Sequence, residues 1–163
     1  QCFANLSYYE PLTIHDSSLS QSVHGIVAAR SGEVASAYQF WRRGASIDLG
    51  SDAHSYDDGI HAAATGAIWS GVIQGFAGVT IVDGELHLSP RLPDPWQRLQ
   101  FPLKWRTANL NIIVENQNLT VNTTEPVTLT VWGKTLTILE SHRFTNDDFN
   151  LAINGTATTS EGA

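Results

Sequence analysis

The spacing of hydrophobic positions changes period once along the chain, and that change divides it. In residues 17–30, Leu19, Val23, Ile26 and Val27 fall at the offsets of one helical face, with Gly32 placed as a stop. Val34, Ala37, Tyr38 and Trp41 repeat the spacing through residues 33–43, and the short Ser31-Gly32 link predicts an antiparallel helical hairpin. Residues 59–76 carry Ala62, Ala63, Ala64, Gly66, Ala67, Gly71 and Gly75, small side chains that admit neighbours on several sides. This pattern predicts the most buried helix of the chain.

Beyond Gly78 the period falls to two. Residues 79–82 and 85–88, joined by Asp83-Gly84, read as a hairpin with a tight turn that tolerates positive φ. Leu99, Phe101, Leu103 and Trp105 alternate with polar residues, as do Leu110, Ile112 and Val114, and then Val127, Leu129 and Val131. A mostly antiparallel sheet or sandwich is expected. Residues 90–95, with three prolines, predict a stiff extended linker. The fold class is α+β: a helical part over residues 1–78, a β domain over 79–153, and a frayed tail over 154–163. Three helices cannot close a helical barrel, so their apolar faces call for further partners.

Composition narrows the function classes. At 163 residues with 42% hydrophobic and 15% charged residues, the chain can bury a real core. A formal net charge of -7 argues against nucleic acid or an anionic membrane as partner, because both need a basic face. The most apolar stretch, residues 60–82, is too interrupted by polar residues and glycines for a membrane span. Cys2 is the one cysteine, which excludes an internal disulfide, and no cysteine/histidine cluster is spaced as a structural zinc site, so no metal is expected. The chain lacks methionine and begins Gln1-Cys2-Phe3-Ala4; we read it as a fragment or processed chain.

Four short features carry candidate chemistry: Tyr8-Tyr9-Glu10-Pro11, His15-Asp16-Ser17-Ser18-Leu19-Ser20, Asp57-Asp58-Gly59-Ile60-His61 and Gln74-Gly75-Phe76-Ala77-Gly78. Ser17 and Ser18 stand where the first helix of the hairpin should start, where free N–H groups and the helix dipole favour an anion; a plain N-cap is the competing role. His61, one turn into the third helix, can donate to a phosphate oxygen or a sugar hydroxyl. His15 can orient Asp16 or a ligand, whereas His24, inside a helix, is assigned a structural role. Trp69, Phe76, Trp96 and Trp105 are assigned to packing rather than to sugar stacking.

In this order and spacing, the four motifs resemble glycoside hydrolase family 65, which includes the inverting phosphorylases of maltose, trehalose and kojibiose. The resemblance spans about residues 5–114 and takes in Arg91-Leu92-Pro93 and Trp96. It implies the last helices of an (α/α)6 barrel followed by a small antiparallel β-sandwich. The implied reaction converts an α-glucoside and phosphate into β-glucose 1-phosphate and a free sugar. Inorganic phosphate is the co-substrate, replacing the second carboxylate of an inverting hydrolase, and no cofactor or metal is needed.

The family's general-acid glutamate belongs upstream, and none of Glu10, Glu33 or Glu85 stands in its motif. No catalytic residue is therefore expected in this chain, which alone should be inactive. The phosphate-binding residues implied are Ser17, Ser18 and His61, supported by His15, Asp16 and Gly59. The expected partners are the disaccharide, phosphate and either the remainder of the barrel or a second copy, with no nucleic acid and no membrane. Hydrolytic relatives such as acid trehalases need a carboxylate base to activate water, so the serines and His61 favour phosphorolysis.

The family favours a cytoplasmic location. Against it stand four glycosylation-type triplets, at Asn5, Asn118, Asn122 and Asn154, which would suit a secreted trehalase-like hydrolase. A non-catalytic folded module, or one part of a split enzyme, would also be consistent with the sequence.

Overall fold

The computed structural model describes residues 2–49, 59–145 and 147–150. Two compact units, Gln1–Gly78 and Val79–Ala163, make up the chain. The expected tail over 154–163 lies outside the described residues.

The first unit is helical. Helix α1, Cys2–Tyr9, leads through the 3₁₀ turn Glu10–Leu12 to α2, Ser20–Arg30, and α3, Val34–Leu49. Helix α2 begins three residues later than the periodicity suggests, because residues 17–19 form a turn. Gly32 ends α2 at φ 89°, with Gly32 N–H donating to Ala29 O and Glu33 N–H to Ala28 O. This is a Schellman close, whose left-handed position favours glycine. Antiparallel packing follows: Ala28, Ala29 and Ala37 are buried. A Cβ at Gly25 would stand 3.3 Å from that of Phe40, so a small residue there lets the helices approach.

The small-residue segment divides in two. Helix α4, Ala62–Ser70, is followed by a π-helical segment, Gly71–Phe76. Ala77 N–H donates to Val72 O, five residues back, the register of a π-turn. Gly71 and Gly75 permit close contact here: a Cβ at the first would meet Trp41 at 3.0 Å, and at the second Ala29 at 3.5 Å. The expectation of the most buried helix fails for the first half of the segment: whereas Gly71, Ile73, Gly75 and Phe76 of the π segment are buried, Ala64 is the buried residue of α4 and a Cβ at Gly66 would meet nothing within 4 Å. The same face exposes Trp69 to 64%, against its assignment to a core, whereas Phe76 is buried at 1%. Helix α4 meets α2 and α3 with one side only.

The second unit has two four-stranded sheets, ordered β1-β2-β6-β7 and β3-β4-β5-β8, forming a β-sandwich. The strands are β1 Thr80–Val82, β2 Glu85–Leu88, β3 Arg98–Trp105, β4 Ala108–Glu115, β5 Asn118–Thr123, β6 Val127–Val131, β7 Lys134–Ile138 and β8 Ser141–Phe144. All described pairs are antiparallel except β2 with β6. Alternation places Leu110, Ile112, Val114, Leu119, Val121, Leu129 and Val131 inside. Burying each such side chain stabilises the fold by about 1.5–3 kcal/mol. Trp96 and Trp105 are half-buried.

Three two-residue turns have positive φ at both positions: Asp83-Gly84, Asn116-Gln117 and Trp132-Gly133. These are the type I′ turns whose twist matches a hairpin. Only the first carries the usual sequence signature of such a turn. A tryptophan is an unusual occupant of a left-handed position; Trp132 is buried there and donates Nε1–H to Pro90 O at 3.4 Å. Gly84→Val should destabilise the second unit by roughly 1–2 kcal/mol, since a left-handed backbone penalises a Cβ; thermal unfolding reads the change.

Candidate functional site

Packing brings the predicted residues to one end of the helical unit. Gly44, late in α3, lies against Ser22 in the first turn of α2, where a Cβ would stand 2.9 Å from Ser22 Oγ. Gly75, at the far end of the π segment, lies against Ala29 at the end of α2. Asp48, in the last turn of α3, bonds His61 just ahead of α4. Helices α2 and α4 therefore run in the same direction with α3 antiparallel to them. Their N-termini, carrying Ser17, Ser18 and His61, share one end of the layer.

The serines do not cap the helix from its N-cap position. That position belongs to Leu19, which offers no side-chain acceptor. Instead Ser17 closes its own turn: its Oγ accepts Leu19 N–H at 3.3 Å and its carbonyl accepts Ser20 N–H at 3.0 Å. The hydroxyl of half-buried Ser18 has no hydrogen-bond partner among the described residues. An uncapped helix start beside a free hydroxyl is chemically suited to an anion.

His61 is held from behind. Its Nδ1 lies 2.8 Å from Asp48 Oδ1, its backbone N–H donates to the same carboxylate at 3.1 Å, and Thr65 Oγ1 donates to it at 3.3 Å. With Nδ1 engaged, Nε2 is the ring atom left to meet a ligand, donating if the ring is protonated and accepting if it is neutral. The hydrogen bond from the His61 ring, reinforced by its backbone N–H and opposed by burial, holds the Asp48 carboxyl below its usual value of 3.8. A lowered folded pKa contributes stability above the unfolded value, and that contribution is lost as pH falls through the lowered one. Acidification through and below about pH 4 should therefore release His61 from Asp48, and a pH titration of the His61 ring signals checks this.

Gly59 precedes His61 at φ 79°, and a Cβ there would meet nothing within 4 Å. Its role is conformational freedom rather than space, so Gly59→Ala should cost about 1–2 kcal/mol of backbone strain, measurable by thermal unfolding. Asp57 and Asp58 lie outside the described residues.

Of the two roles open to His15, orienting Asp16 or a ligand, the first is not seen. His15, itself at φ 52°, does not orient Asp16; its Nδ1 lies 2.8 Å from Ser20 Oγ and its Nε2 3.0 Å from Glu10 Oε1. Asp16 is exposed. The other Glu10 oxygen meets His24 Nδ1, so His24 joins a cluster that its position in a helix alone did not suggest. Burial pushes the Glu10 carboxyl up, but hydrogen bonds from His15 and His24 together outweigh it and leave the group lowered from 4.5. A general acid needs the opposite displacement.

Two imidazoles and a carboxylate, with one ligand atom each lying within 4.8 Å of the others, could hold a divalent ion of the zinc type. Sequence spacing concealed this set, because it is assembled by the turn between the 3₁₀ segment and α2. Asp48 was also missed: it lies 13 residues from His61, and nothing in its local pattern distinguishes it.

The first 70 residues match the family description "Glycosyl hydrolase family 65 central catalytic domain", and residues 80–138 match "Glycosyl hydrolase family 65, C-terminal domain". The chain is 58% identical over 157 residues to kojibiose phosphorylase of Escherichia coli (strain K12), covering 96% of this chain and 21% of that protein. It is 38% identical over 115 residues to α,α-trehalose phosphorylase of Thermoanaerobacter brockii, covering 71% and 15%. A solved structure from the human microbiome, provisionally named a kojibiose phosphorylase, superposes with a TM-score of 0.82 at 29% identity, covering 88% of this chain and 21% of that one. The chain thus spans between 15% and 21% of the length of these relatives. Two domain descriptions of one family, met in order along the chain, lead to one conclusion: the chain belongs to glycoside hydrolase family 65.

Proposed function

We propose that this chain is the C-terminal portion of an inverting disaccharide phosphorylase and supplies the phosphate-binding side of its active site. The observation that carries the reading is the pairing, at one end of the helical layer, of a free Ser18 hydroxyl beside an uncapped helix start with a His61 ring fixed by Asp48. These groups suit a tetrahedral oxyanion.

In the proposed reaction, phosphate attacks the anomeric carbon from the face opposite the glycosidic oxygen. The bond to that oxygen breaks as a glutamate outside this chain protonates it, leaving β-glucose 1-phosphate and the free sugar. His61 and Ser18 hold phosphate oxygens, Ser17 shapes the turn, and Gly59 sets the approach to His61. The high identity to a kojibiose phosphorylase makes kojibiose the first disaccharide to assay.

A cytoplasmic location fits. Asn122 sits on β5 between Asn111 of β4 and Ser141 of β8 and accepts a hydrogen bond from Ser141, whereas a glycosylated asparagine belongs on an open loop; Asn118, next to the Asn116-Gln117 turn, pairs with β4 alone. No described helix is long and apolar enough to cross a membrane.

The test is the intact enzyme with kojibiose, with and without inorganic phosphate. Phosphate-dependent formation of β-glucose 1-phosphate is expected; phosphate-independent release of free glucose would replace the reading with a trehalase-like hydrolase. In the same assay Asp48→Asn should raise the phosphate KM by about 3–10-fold, the worth of one ordinary hydrogen bond.

A further inference from the structure

Glu10, His15 and His24 are left unused by the phosphate reading, yet they form the most connected group of titratable side chains among the described residues. Glu10 follows α1, His15 lies in the turn, and His24 is on α2, one helical turn beyond Ser20. The single Glu10 carboxylate binds both rings, one through each oxygen, and His15 passes the chain on to Ser20 Oγ. The rings stand edge to face with centroids 4.7 Å apart, and both lie against Phe40 of α3, at 5.8 and 5.9 Å. The segment between Glu10 and Ser20 is therefore closed at both ends onto the first turn of α2. Ser17 and Ser18 are inside that closed segment, and so is His15, whose left-handed backbone lies just ahead of the serine turn.

We propose that Glu10, His15 and His24 are positioning residues that clamp the serine turn in its phosphate-binding shape through the hydrogen-bond chain His24–Glu10–His15–Ser20. The proposal rests on the phosphorolytic reading above. One proton arrangement satisfies the whole chain: Glu10 ionised and accepting from His24 Nδ1–H and His15 Nε2–H, with His15 Nδ1 accepting the Ser20 hydroxyl proton. The two rings address separate carboxylate oxygens, and the second nitrogen of His15 is occupied by Ser20. That division of contacts suits a hydrogen-bond relay better than a shared ion. Because the clamp touches no substrate, its loss loosens the turn and weakens phosphate without altering the chemistry at the sugar.

The test uses the intact enzyme and steady-state kinetics with phosphate and disaccharide varied separately. Glu10→Ala and His15→Ala should each raise the phosphate KM about tenfold while leaving the disaccharide KM and the midpoint of thermal unfolding near wild type. Glu10→Gln, which keeps an acceptor for one ring and the shape of the group, should recover part of the loss. Ser20→Ala cuts the far end of the chain without disturbing the half-buried rings, so the Glu10→Ala, Ser20→Ala double variant should be little worse than Glu10→Ala alone.

Multiplying effects in that cycle, an unchanged phosphate KM in the single variants, or equal losses for both substrates would overturn the clamp. One equivalent of zinc in the purified enzyme, lost in His24→Ala, would also overturn it and assign the cluster to a metal. If the wild-type enzyme needs no phosphate at all, the phosphorolytic reading itself is wrong; if it needs phosphate and the variants behave as wild type, the clamp alone fails.

Discussion

On the phosphorolytic reading, replacing His61 by alanine in the intact enzyme should raise the phosphate KM by about 10–100-fold and leave the disaccharide KM within about twofold. The size follows from a hydrogen bond to a charged group, worth about 1.5–3 kcal/mol, at tenfold per 1.4 kcal/mol. The selectivity follows from the geometry: Nδ1 is committed to Asp48, and Nε2 is the atom free to meet a phosphate oxygen. Ser18→Ala should act in the same direction but more weakly, by about 2–10-fold, because it removes a neutral donor from the site. Initial-rate kinetics with both substrates varied separate these losses from a general one, which would raise both KM values together. An unchanged phosphate KM in both variants would remove His61 and Ser18 from the site and return the serine turn to a purely local role.

Truncating Phe144 to alanine is expected to destabilise the β-sandwich by about 3–5 kcal/mol, the cost of an aromatic cavity in a packed core. Phe144 ends β8, is wholly buried, faces Leu119 across the strand pair and packs edge to face on His142 at 4.6 Å. Because β8 is an edge strand held by β5 alone, the loss should appear first as faster amide exchange in β5 and β8. In thermal unfolding it should lower the transition of this unit by more than 10 °C, at roughly 4–8 °C per kcal/mol for a domain of this size. Phe144→Leu keeps most of the volume and should restore much of the loss; equal destabilisation by both variants would show that the ring itself, rather than filled space, is what the site needs.

Much of the architecture was legible because it rests on local rules. The period of the apolar residues marked the hairpin of α2 and α3 and the switch to strands, Gly32 marked the end of α2, and Asp83-Gly84 marked a type I′ turn. Helix α1 was missed: it is short, and its Phe3, Tyr8 and Tyr9 are exposed, so no buried stripe advertised it. The I′ turns at Asn116-Gln117 and Trp132-Gly133 were missed because Gln and Trp seldom occupy left-handed positions. The parallel pairing of β2 with β6 joins strands about 40 residues apart, and alternation along a strand carries no record of its neighbour.

At the candidate site the sequence by itself determined which residue types were present and in what order: two adjacent serines ahead of a helix, a glycine two positions before a histidine, and the family to which that order belongs. The tertiary structure decided the partnerships. It placed Asp48 behind His61, joined Glu10 to two histidines that pattern alone had treated separately, and opened the face of α4 that its small residues had suggested was buried. The reason is physical: periodicity and turn preference act over a few residues, whereas a hydrogen bond between side chains depends on how helices approach. That approach is set here by small residues such as Gly25, Gly44 and Gly75, which let helices from separate stretches of the chain come close.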